Sequence, residues 1–334
     1  MAVLTVSNLY KRFNLEAGFF ARFGRFVNAV NDISFVIGKN EAYGLVGESG
    51  CGKTTTARML VRMYEADSGE ILFNHGDETL VVSSLKKEAL RNYREKVRYV
   101  FQDPAKSLNP RMNIYEVLVS GCRKPLKKRG ISENELRQKA AAILEEVGLQ
   151  EGDLEKRPSE FSGGQRQRIS IARALLMEPE VLICDEVVSA LDVSIQGQIL
   201  NLLLDIRKKR NISFLFIAHD LKVACYFCDR IGVMYKGELM EEAGAQDLYR
   251  EGLHPYTKLL FSCASRDSQE APSQAQTRKG SKETVNEGGC SFASRCPNAI
   301  QRCLSEHPVL ENIKDGHLIR CFNHAASGLS SDNP

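Results

Sequence analysis

The sequence lacks the features that would place it inside a membrane, in a secretory route or on a nucleic acid. Nowhere do roughly 18 apolar residues run together, which excludes a membrane-spanning helix of ordinary length. Residues Met1–Tyr10 lack the basic and then apolar layout of a signal peptide. The formal net charge is only +3, so no large field of one sign favours nucleic acid as the main partner. We therefore expect a globular protein that stays in the cytosol.

The ten cysteines do not indicate a disulfide scaffold in a chain of this size. Its 334 residues are 43% apolar, which is enough for a real core and for one large or two ordinary domains. A small secreted protein with many cysteines would form disulfides, whereas in a long cytosolic chain they are reduced core residues or metal ligands. Their positions along the chain decide between these two possibilities.

Short apolar strands alternate with amphipathic helices along much of the chain. Strands are predicted at Ala42–Val46, Val181–Cys184 and Ile212–Ala218, and one predicted helix covers Gln165–Met177. This alternation is typical of an α/β fold whose mostly parallel sheet is covered on both faces. Residues 107–149 are more charged and have a helical periodicity, which predicts a helical subdomain.

A glycine-rich loop follows the first of these strands and precedes a helix. Residues Gly47–Thr54 fit the pattern G-x-x-x-x-G-K-[ST] in the strand and helix context that its mechanism requires. Glycines let backbone N–H groups turn inward around phosphate oxygens, and the helix N-terminus adds a favourable dipole. We expect Lys53 to reach the β- and γ-phosphates of ATP and the Thr54 hydroxyl to bind Mg²⁺. The predicted ATP-binding residues here are Gly47, Glu48, Ser49, Gly50, Cys51, Gly52, Lys53, Thr54 and Thr55.

Two adjacent carboxylates follow the second apolar strand. Asp185 and Glu186 come directly after Val181–Cys184, at the edge where α/β sheets bind their ligands. We expect Asp185 to help hold Mg²⁺ and Glu186 to polarise the attacking water. Acidic residues after a buried strand can also simply leave the core. The phosphate loop upstream favours the catalytic interpretation.

Between these two halves lies a segment that resembles the signature sequence of ABC ATPases, Phe161–Arg168 (F-S-G-G-Q-R-Q-R). Other motifs of that family occur in the expected order. Gln102 in V-F-Q-D-P resembles the Q-loop, Asp192 in S-A-L-D the D-loop, and His219 in F-I-A-H-D the switch histidine. The resemblance implies an α/β P-loop NTPase fold with a RecA-like core and mixed sheet, an antiparallel β subdomain and a helical subdomain.

The same resemblance implies a role for each motif. The loop made by Ser162, Gly163, Gly164 and Gln165 would bind the γ-phosphate of ATP held by the opposite subunit, so that two ATP molecules lie between two ATPase domains. Gln102 would contact Mg²⁺ and the attacking water, and His219 would hydrogen-bond the γ-phosphate. The predicted catalytic residues are Lys53, Gln102, Glu186 and His219, and the predicted Mg²⁺ ligands are Thr54, Gln102 and Asp185.

The N-terminal region is expected to contact the adenine. Recognition in that family is mostly aromatic stacking from the first strand region, which makes Phe13 our prediction, with Tyr10 as the competitor and a core position as the alternative. Residues 14–27 form an insertion in which aromatics alternate with arginine. That pattern suits single-stranded nucleic acid or a membrane surface, but we expect a hairpin tip that packs on its own sheet or on a partner subunit.

A closer resemblance lies outside the nucleotide motifs. Leu253–Leu260 (L-H-P-Y-T-K-L-L) and Phe101–Met112 are similar to segments of the dipeptide and oligopeptide importer ATPases. The resemblance implies the second ATPase of a pair, which forms a heterodimer with a homologous ATPase and docks on two transmembrane permease subunits. A periplasmic or extracellular substrate-binding protein would deliver the cargo. The implied location is the cytoplasmic face of the bacterial inner membrane, as a peripheral protein.

Two departures and two alternatives accompany this interpretation. Val187-Val188 replace the usual Pro-Thr after the paired acids, and Phe161 replaces the usual Leu at the start of the signature. Neither change removes a phosphate or metal ligand, so activity is expected. Nickel or metal-chelate import is the alternative cargo, and a soluble non-transport ABC ATPase is the alternative class. Families of that class carry long coiled-coil insertions or two ATPase domains in one chain, and this chain has neither.

Four of the ten cysteines crowd into a short segment near the end of the chain, and they are Cys290, Cys296, Cys303 and Cys321. Such crowding suggests one shared metal centre, with plain thiols as the alternative. The knuckle spacing of structural zinc is absent, whereas iron-sulfur clusters accept looser spacings. The surrounding G-C-S-F-A-S-R-C-P-N-A resembles the tail of peptide-importer ATPases that carry a [4Fe-4S] cluster, which implies iron. Cys225 and Cys228 are interpreted as core residues of a helix.

The resemblance and the composition together predict the domain limits. Residues 1–257 would form the ABC ATPase domain, with its helical subdomain at about 107–165. Residues 258–289 would be a helix end and a polar linker, because they offer almost nothing to bury. Residues 290–322 would form a small cysteine-rich module, and residues 323–334 a flexible tail.

Overall fold

The computed structural model describes residues 1–14, 26–264, 288–314 and 316–323 of the chain. Most of the predicted insertion, most of the predicted linker and nearly all of the predicted tail therefore lie outside the described residues. Twelve strands are present within the described ranges. They are β1 (Ala2–Asn14), β2 (Phe26–Gly38), β3 (Ala42–Val46), β4 (Ser68–His75), β5 (Glu78–Val81), β6 (Val97–Val100), β7 (Val181–Asp185), β8 (Ser213–Ala218), β9 (Arg230–Tyr235), β10 (Glu238–Gly244), β11 (Glu311–Lys314) and β12 (His317–Ile319).

Twelve α-helices accompany these strands in the same part of the chain. They are α1 (Lys53–Leu60), α2 (Lys87–Lys96), α3 (Pro104–Ser107), α4 (Ile114–Val119), α5 (Arg123–Lys128), α6 (Glu133–Glu146), α7 (Gly163–Leu175), α8 (Val193–Arg210), α9 (Leu221–Phe227), α10 (Ala245–Glu251), α11 (Pro255–Ala264) and α12 (Gln301–Ser305). Short 3₁₀ turns lie at Val82–Ser84, Glu151–Glu155, Pro158–Glu160 and Ala293–Arg295. None of the helices within the described ranges is long and apolar enough to cross a membrane.

The large sheet is mixed and has the order β11, β12, β10, β9, β3, β8, β7, β6. Its five strands from β9 to β6 are parallel, and the other three are antiparallel. Every residue of β3, β7 and β8 is buried, as expected of parallel strands that are covered on both faces. Because these strands run in the same direction, the carboxyl ends of β3, β6, β7 and β8 meet at one edge of the sheet.

The small sheet is antiparallel and has the order β2, β1, β4, β5. Its inward side chains, such as Leu4, Ile33 and Phe73, form one core with α1 and with one face of the large sheet. The opposite face of the large sheet packs against helices in a second core. Two layers therefore enclose the parallel strands, as the alternating sequence pattern predicts.

Helices α3 to α7 fill the segment for which the sequence predicts a helical subdomain. Capping boxes begin three of these helices, and they pair Asn113 with Glu116 at α4, Ser132 with Glu135 at α6 and Ser162 with Gln165 at α7. The apolar face of α6 is buried along Leu136, Ala140, Ile143 and Leu144, which agrees with the helical periodicity of this segment. Helix α7 contacts α3, α4 and α6 and also β6, so it joins the helical layer to the large sheet.

The C-terminal cysteine segment does not form the separate module that the sequence predicts. Strand β12 pairs with β10 through Glu241 and Ile319, and β11 pairs with β12, so the segment extends the large sheet. Cys290, Phe292 and Cys303 are buried in the same core as the helical layers. The physical reason is that β10 offers an unpaired edge, which the returning chain covers.

Candidate nucleotide-binding site

The phosphate loop joins β3 to α1 and encloses the ammonium group of Lys53. Lys53 is only 3% exposed, and its Nζ donates hydrogen bonds to the carbonyls of Gly47 at 2.7 Å and Glu48 at 3.0 Å. Ser49 and Gly50 are exposed at the tip of the loop. A cation therefore lies against the loop backbone in the first turn of α1, and a cation at a helix N-terminus is suited to anionic oxygens.

Two glycines are required where this loop passes other backbone. Gly52, the residue before α1, has φ 109°, and a Cβ there would lie 2.0 Å from the carbonyl oxygen of Ala29 in β2. A Cβ at Gly47 would lie 2.1 Å from the carbonyl oxygen of Met234 in β9. A hydrogen bond of 2.8 Å from the Gly237 N–H to the Cys51 carbonyl adds a third contact. Strands β2 and β9 and the turn after β9 therefore hold the phosphate loop in position.

Thr54 and Asp185 meet between the phosphate loop and the end of β7. The Thr54 hydroxyl donates a hydrogen bond of 3.0 Å to Asp185 Oδ1, and the Tyr99 hydroxyl donates to Asp185 Oδ2. Burial and the Asp185 carboxylate raise the pKa of Tyr99 well above its ordinary value, so Tyr99 stays a hydrogen-bond donor. A hydroxyl and a carboxylate placed side by side offer the oxygen ligands that Mg²⁺ prefers, so the residues present fit that ion.

Gln102 and Glu186 form a second pair at the same edge. Gln102 Nε2 donates a hydrogen bond of 2.6 Å to Glu186 Oε2. Glu186 has φ 49°, a left-handed conformation that is uncommon for a residue with a side chain. Its backbone N–H donates to the Ile217 carbonyl at 3.1 Å, and its own carbonyl accepts from Ser189. The carboxylate is therefore held at the end of β7 beside the Gln102 amide.

His219 completes this edge after β8. It is exposed and lines a cleft of about 40 Å³ together with Glu186 and Ser189. The structure thus brings five predicted site residues, those at positions 53, 54, 185, 186 and 219, to the ends of three neighbouring strands. Gln102 reaches them from the end of β6.

The predicted signature residues form the N-terminus of α7. Ser162 caps α7, since its Oγ accepts from the Gln165 N–H and the Gln165 side chain accepts from the Ser162 N–H. A Cβ on Gly164 would lie 2.7 Å from Ile195, so this turn packs against the first turn of α8. Asp192, the predicted D-loop residue, is exposed just before α8. The signature and the D-loop are thus neighbours on one surface.

Phe13 lies at the end of β1, near the phosphate loop. It is half-buried, and its ring contacts that of Tyr64 edge-on with the centroids 5.4 Å apart. Phe13 pairs with Val27 in β2, two positions from the Ala29 that contacts Gly52. Tyr10, the competing prediction, forms a side-chain hydrogen bond to Asp32. The position of Phe13 is compatible with stacking on a base, and its packing on Tyr64 also fits the alternative of a core aromatic.

Three residues at this site were not predicted from the sequence. Tyr99 lies three positions before Gln102, in strand β6, which is too short to be recognised from the sequence. Its hydroxyl donates a hydrogen bond to Asp185, a predicted Mg²⁺ ligand. Tyr256 and Arg295 contact Glu48 of the phosphate loop. Tyr256 belongs to the L-H-P-Y-T segment that the sequence singles out, but no local pattern indicates where that segment packs.

Comparisons with known proteins agree with this geometry. The family model described as ABC transporter matches residues 30–189, and the model described as oligopeptide/dipeptide transporter, C-terminal region, matches residues 240–303. The oligopeptide transport ATP-binding protein AppF of Bacillus subtilis is 39% identical over 325 residues, which are 96% of each chain. The chain belongs to the ATP-binding subunits of oligopeptide and dipeptide ABC transporters. OppF of the same organism is 50% identical over 236 residues, covering 71% of this chain and 76% of OppF.

Solved structures of other ABC transporter subunits share the fold. The cbiO1 protein of Clostridium perfringens, part of the ABC transporter complex cbiONQ, matches with a TM-score of 0.63 and 26% identity, over 75% of this chain and 91% of that one. The ATP-binding cassette MJ0796, in a dimeric post-hydrolysis state bound to ADP and Pi, matches with a TM-score of 0.62 and 26% identity, over 72% of this chain and 98% of that one. The predicted P-loop ABC ATPase fold is confirmed.

The C-terminal cysteines of this ABC transporter subunit lie near one another but do not form a metal site as they stand. The described residues contain no group of three or more His, Cys, Asp or Glu side chains arranged to hold a metal ion. The Cys290 N–H donates to the Cys303 carbonyl at 2.8 Å, and the Asn323 N–H donates to Cys321 Sγ at 3.4 Å. Burial first, and then the other three thiols, raise the pKa of Cys296 to about 11. The predicted [4Fe-4S] cluster is therefore not supported by this geometry.

The remaining predicted core cysteines are in the core. Cys225 lies in α9 and Cys228 directly after it, and each is 7% exposed. Burial is the main cause that raises the pKa of both thiols, which keeps them protonated and unreactive at neutral pH. The interpretation as packing residues is confirmed.

Proposed function

We propose that this chain binds and hydrolyses ATP to drive the import of dipeptides or oligopeptides through an ABC transporter. The observation that carries the proposal is the meeting of the phosphate loop, the Thr54 and Asp185 pair and the Gln102 and Glu186 pair at one edge of the parallel strands. Parallel sheets bind nucleotides at this edge. The peptide cargo is supported by the matched C-terminal family model and by the names of the Bacillus subtilis relatives.

Binding of the triphosphate belongs to the phosphate loop and its helix. Lys53 is proposed to exchange the Gly47 and Glu48 carbonyls for the β- and γ-phosphate oxygens, which are stronger acceptors because they are charged. The Thr54 hydroxyl, the Asp185 carboxylate and the Gln102 amide would hold Mg²⁺. When bound there, that ion would neutralise charge that develops on the phosphates.

Hydrolysis is proposed to be in-line attack of water on the γ-phosphate. Glu186 polarises the water. The Gln102 amide orients the Glu186 carboxylate through the hydrogen bond of 2.6 Å from Nε2 to Oε2. His219 lines the same cleft and donates a hydrogen bond to the γ-phosphate. Because the chemistry needs mainly positioning and charge neutralisation, a rigid Glu186 supports it.

Completion of the site is proposed to need a second ATPase subunit. Ser162 and the following glycines begin α7, where backbone N–H groups and the helix dipole attract an anion. They form no part of the phosphate loop of their own chain, so the anion they serve would be the γ-phosphate held by a partner. The dimeric state of the MJ0796 cassette supports this arrangement. We infer a heterodimer with a homologous ATPase, docked on two permease subunits at the cytoplasmic face of the membrane and supplied by a substrate-binding protein.

An iron-sulfur centre on the four C-terminal cysteines is kept as a separate proposal. Its support is the crowding of the four cysteines in the sequence, together with the hydrogen bond from the Cys290 N–H to the Cys303 carbonyl. The test is an iron assay and a visible spectrum of protein purified without oxygen, with Cys296→Ser as the variant. A brown protein that loses iron in the variant supports the proposal. A colourless protein without iron contradicts it.

The experiment that tests the main proposal is reconstitution. The subunit is co-expressed with its permease and partner ATPase genes, the complex is purified in detergent, and ATP turnover and peptide uptake are measured in vesicles. We expect uptake of a labelled oligopeptide that needs ATP and stops with Lys53→Ala. Uptake of a nickel chelate without uptake of peptides would contradict the proposed cargo while leaving the ATPase assignment intact.

A further inference from the structure

Two residues from the C-terminal third of the chain hold the phosphate loop at Glu48. The Glu48 N–H donates a hydrogen bond of 2.9 Å to the hydroxyl of Tyr256, 208 positions further along the chain. The Glu48 carboxylate accepts two hydrogen bonds of 2.8 Å each from the guanidinium of Arg295, 247 positions away. This bidentate geometry is the strongest form of such a pair. One loop residue is thus held through both its backbone and its side chain.

The two holding residues are themselves fixed by shared aromatic packing. Tyr256 is fully buried, and its ring centroid lies 4.8 Å from that of Tyr235 and 5.3 Å from that of Phe292. The guanidinium of Arg295 lies 5.6 Å and 5.7 Å from the same two rings. Tyr235 is the last residue of β9, and its neighbour Met234 touches the loop at Gly47. The position of Glu48 therefore follows from the packed core.

Arg295 also changes the charge beside the triphosphate site. Its hydrogen bonds are the main cause that lowers the pKa of the Glu48 carboxyl, so Glu48 is ionised at neutral pH. An uncompensated carboxylate in a phosphate-binding loop would repel the triphosphate. Arg295 supplies the compensating positive charge through its two hydrogen bonds to the Glu48 carboxylate.

We propose that Tyr256 and Arg295 are positioning residues for ATP binding, which fix the phosphate loop in advance and neutralise Glu48. A glycine-rich loop loses much conformational entropy when a ligand orders it, so a loop that is already held binds its ligand more tightly. Both residues act through Glu48, so their removal affects the affinity for ATP and leaves the chemical step unchanged. The inference rests on the proposed assignment of residues 47–54 to the triphosphate.

The first test removes each contact with a small change. Tyr256→Phe deletes only the hydroxyl, Arg295→Gln deletes the ion pair, and Arg302→Ala is the matched control. Arg302 lies in the same C-terminal segment but pairs with Glu306. We expect the Kd for Mg-ATP to rise about threefold to tenfold in Tyr256→Phe and about tenfold in Arg295→Gln, with kcat at saturating ATP and the control unchanged. Equal Kd values in all four proteins would overturn the proposal.

A double-variant cycle shows whether Arg295 acts through Glu48. We expect Glu48→Gln combined with Arg295→Gln to bind ATP no more weakly than Arg295→Gln alone. Losses of ATP affinity that add fully in the double variant would contradict the inference that Arg295 acts through Glu48. Thermal unfolding of each variant checks that it folds. If Arg295→Gln does not fold, Arg295→Lys replaces it, because lysine keeps the charge but loses the bidentate contact. Unchanged ATP binding in both Arg295→Lys and Tyr256→Phe would overturn the proposal.

The variant Lys53→Ala distinguishes a failure of this proposal from a failure of the proposed ATP-binding function. If Lys53→Ala loses ATP binding while Tyr256→Phe and Arg295→Gln keep it, the positioning role is wrong and the phosphate loop assignment stands. If Lys53→Ala binds ATP as the wild type does, the phosphate loop assignment itself fails.

Discussion

Glu186 shows how a single residue keeps an unusual backbone conformation for function. Left-handed φ values cost free energy for residues with a side chain and persist where the surroundings determine them fully. Here the Glu186 carbonyl accepts from both the N–H and the hydroxyl of Ser189, and Val187 and Val188 are buried behind it. The two valines that depart from the family pattern therefore anchor this turn by apolar packing, and the carboxylate still reaches Gln102.

Removal of the Glu186 negative charge is predicted to stop hydrolysis without stopping binding. Glu186→Gln keeps the size and the hydrogen-bonding capacity of the side chain but cannot polarise water, so we expect turnover to fall by about 10²-fold or more. Binding of Mg-ATP is expected to stay within about twofold of the wild type. Phosphate release and equilibrium nucleotide binding measure the two effects. Turnover near the wild-type value would remove the catalytic role of Glu186.

At the scale of single elements, β10 is a strand that its local sequence does not predict. Three carboxylates of this strand, Glu238, Glu241 and Glu242, are almost fully buried. Each has partners from distant segments: His307 for Glu238, His317 and two backbone N–H groups for Glu241, and Arg230 and Tyr43 for Glu242. Buried carboxylates are tolerated only when paired in this way. The two histidines attach the C-terminal segment to the large sheet.

The segment between β10 and α11 is predicted to make stability depend on pH. Burial lowers the pKa of His254 from 6.5 to about 4, and its Nδ1 accepts from the Tyr256 N–H. Between these values the unfolded chain binds a proton that the folded chain does not, so the free energy of unfolding falls as the pH falls through this window. The loss approaches about 3 kcal/mol for this group.

The variant His254→Asn tests that dependence. Its side-chain oxygen can accept the same N–H but cannot titrate, and the difference from wild type cancels the contribution of neighbouring groups such as Glu241. Urea unfolding between pH 7 and pH 4.5 is the measurement. We expect the wild type to lose more stability than the variant on acidification. Parallel curves would contradict a buried neutral His254.

Elements made from local patterns were predictable, and elements that depend on distant partners were not. The buried runs of β3, β7 and β8 and the motifs at their carboxyl ends carry their own signals. The charged sequence of β10 does not resemble a buried strand, because its partners lie up to 207 positions away. The contact from Arg295 to Glu48 spans 247 positions and has no local signal at all. The cysteine spacing suggested a separate module, because spacing alone does not indicate that β11 and β12 pair with the large sheet.

On the scale of the whole molecule, the C-terminal segment and the ATPase core share one hydrophobic core. Phe292 is 1% exposed and contacts Tyr235, His254 and Tyr256. We predict that Phe292→Ala lowers the free energy of unfolding by about 3–5 kcal/mol, as expected for a large buried ring. Val309→Ala, at a site 62% exposed in the same segment, is the control and should change it by less than about 0.5 kcal/mol.

Urea unfolding followed by two probes checks this prediction. Circular dichroism reports on the whole fold, and reactivity of the C-terminal thiols reports on their segment. If the segment belongs to the core, both probes give one transition that shifts together in Phe292→Ala. Two separate transitions, with the main one unmoved by the variant, would show an independent module after all.

The whole account depends on the triphosphate lying in the loop around Lys53, and calorimetric titration with Mg-ATP tests this most directly. The account predicts saturable binding by the wild type, unchanged binding by Glu186→Gln, and a loss of at least about tenfold in Lys53→Ala, since a charged hydrogen-bond donor to phosphate is removed. Folding of each variant is checked by its thermal unfolding. Binding of equal strength by wild type and Lys53→Ala, in folded protein, would contradict the central claim.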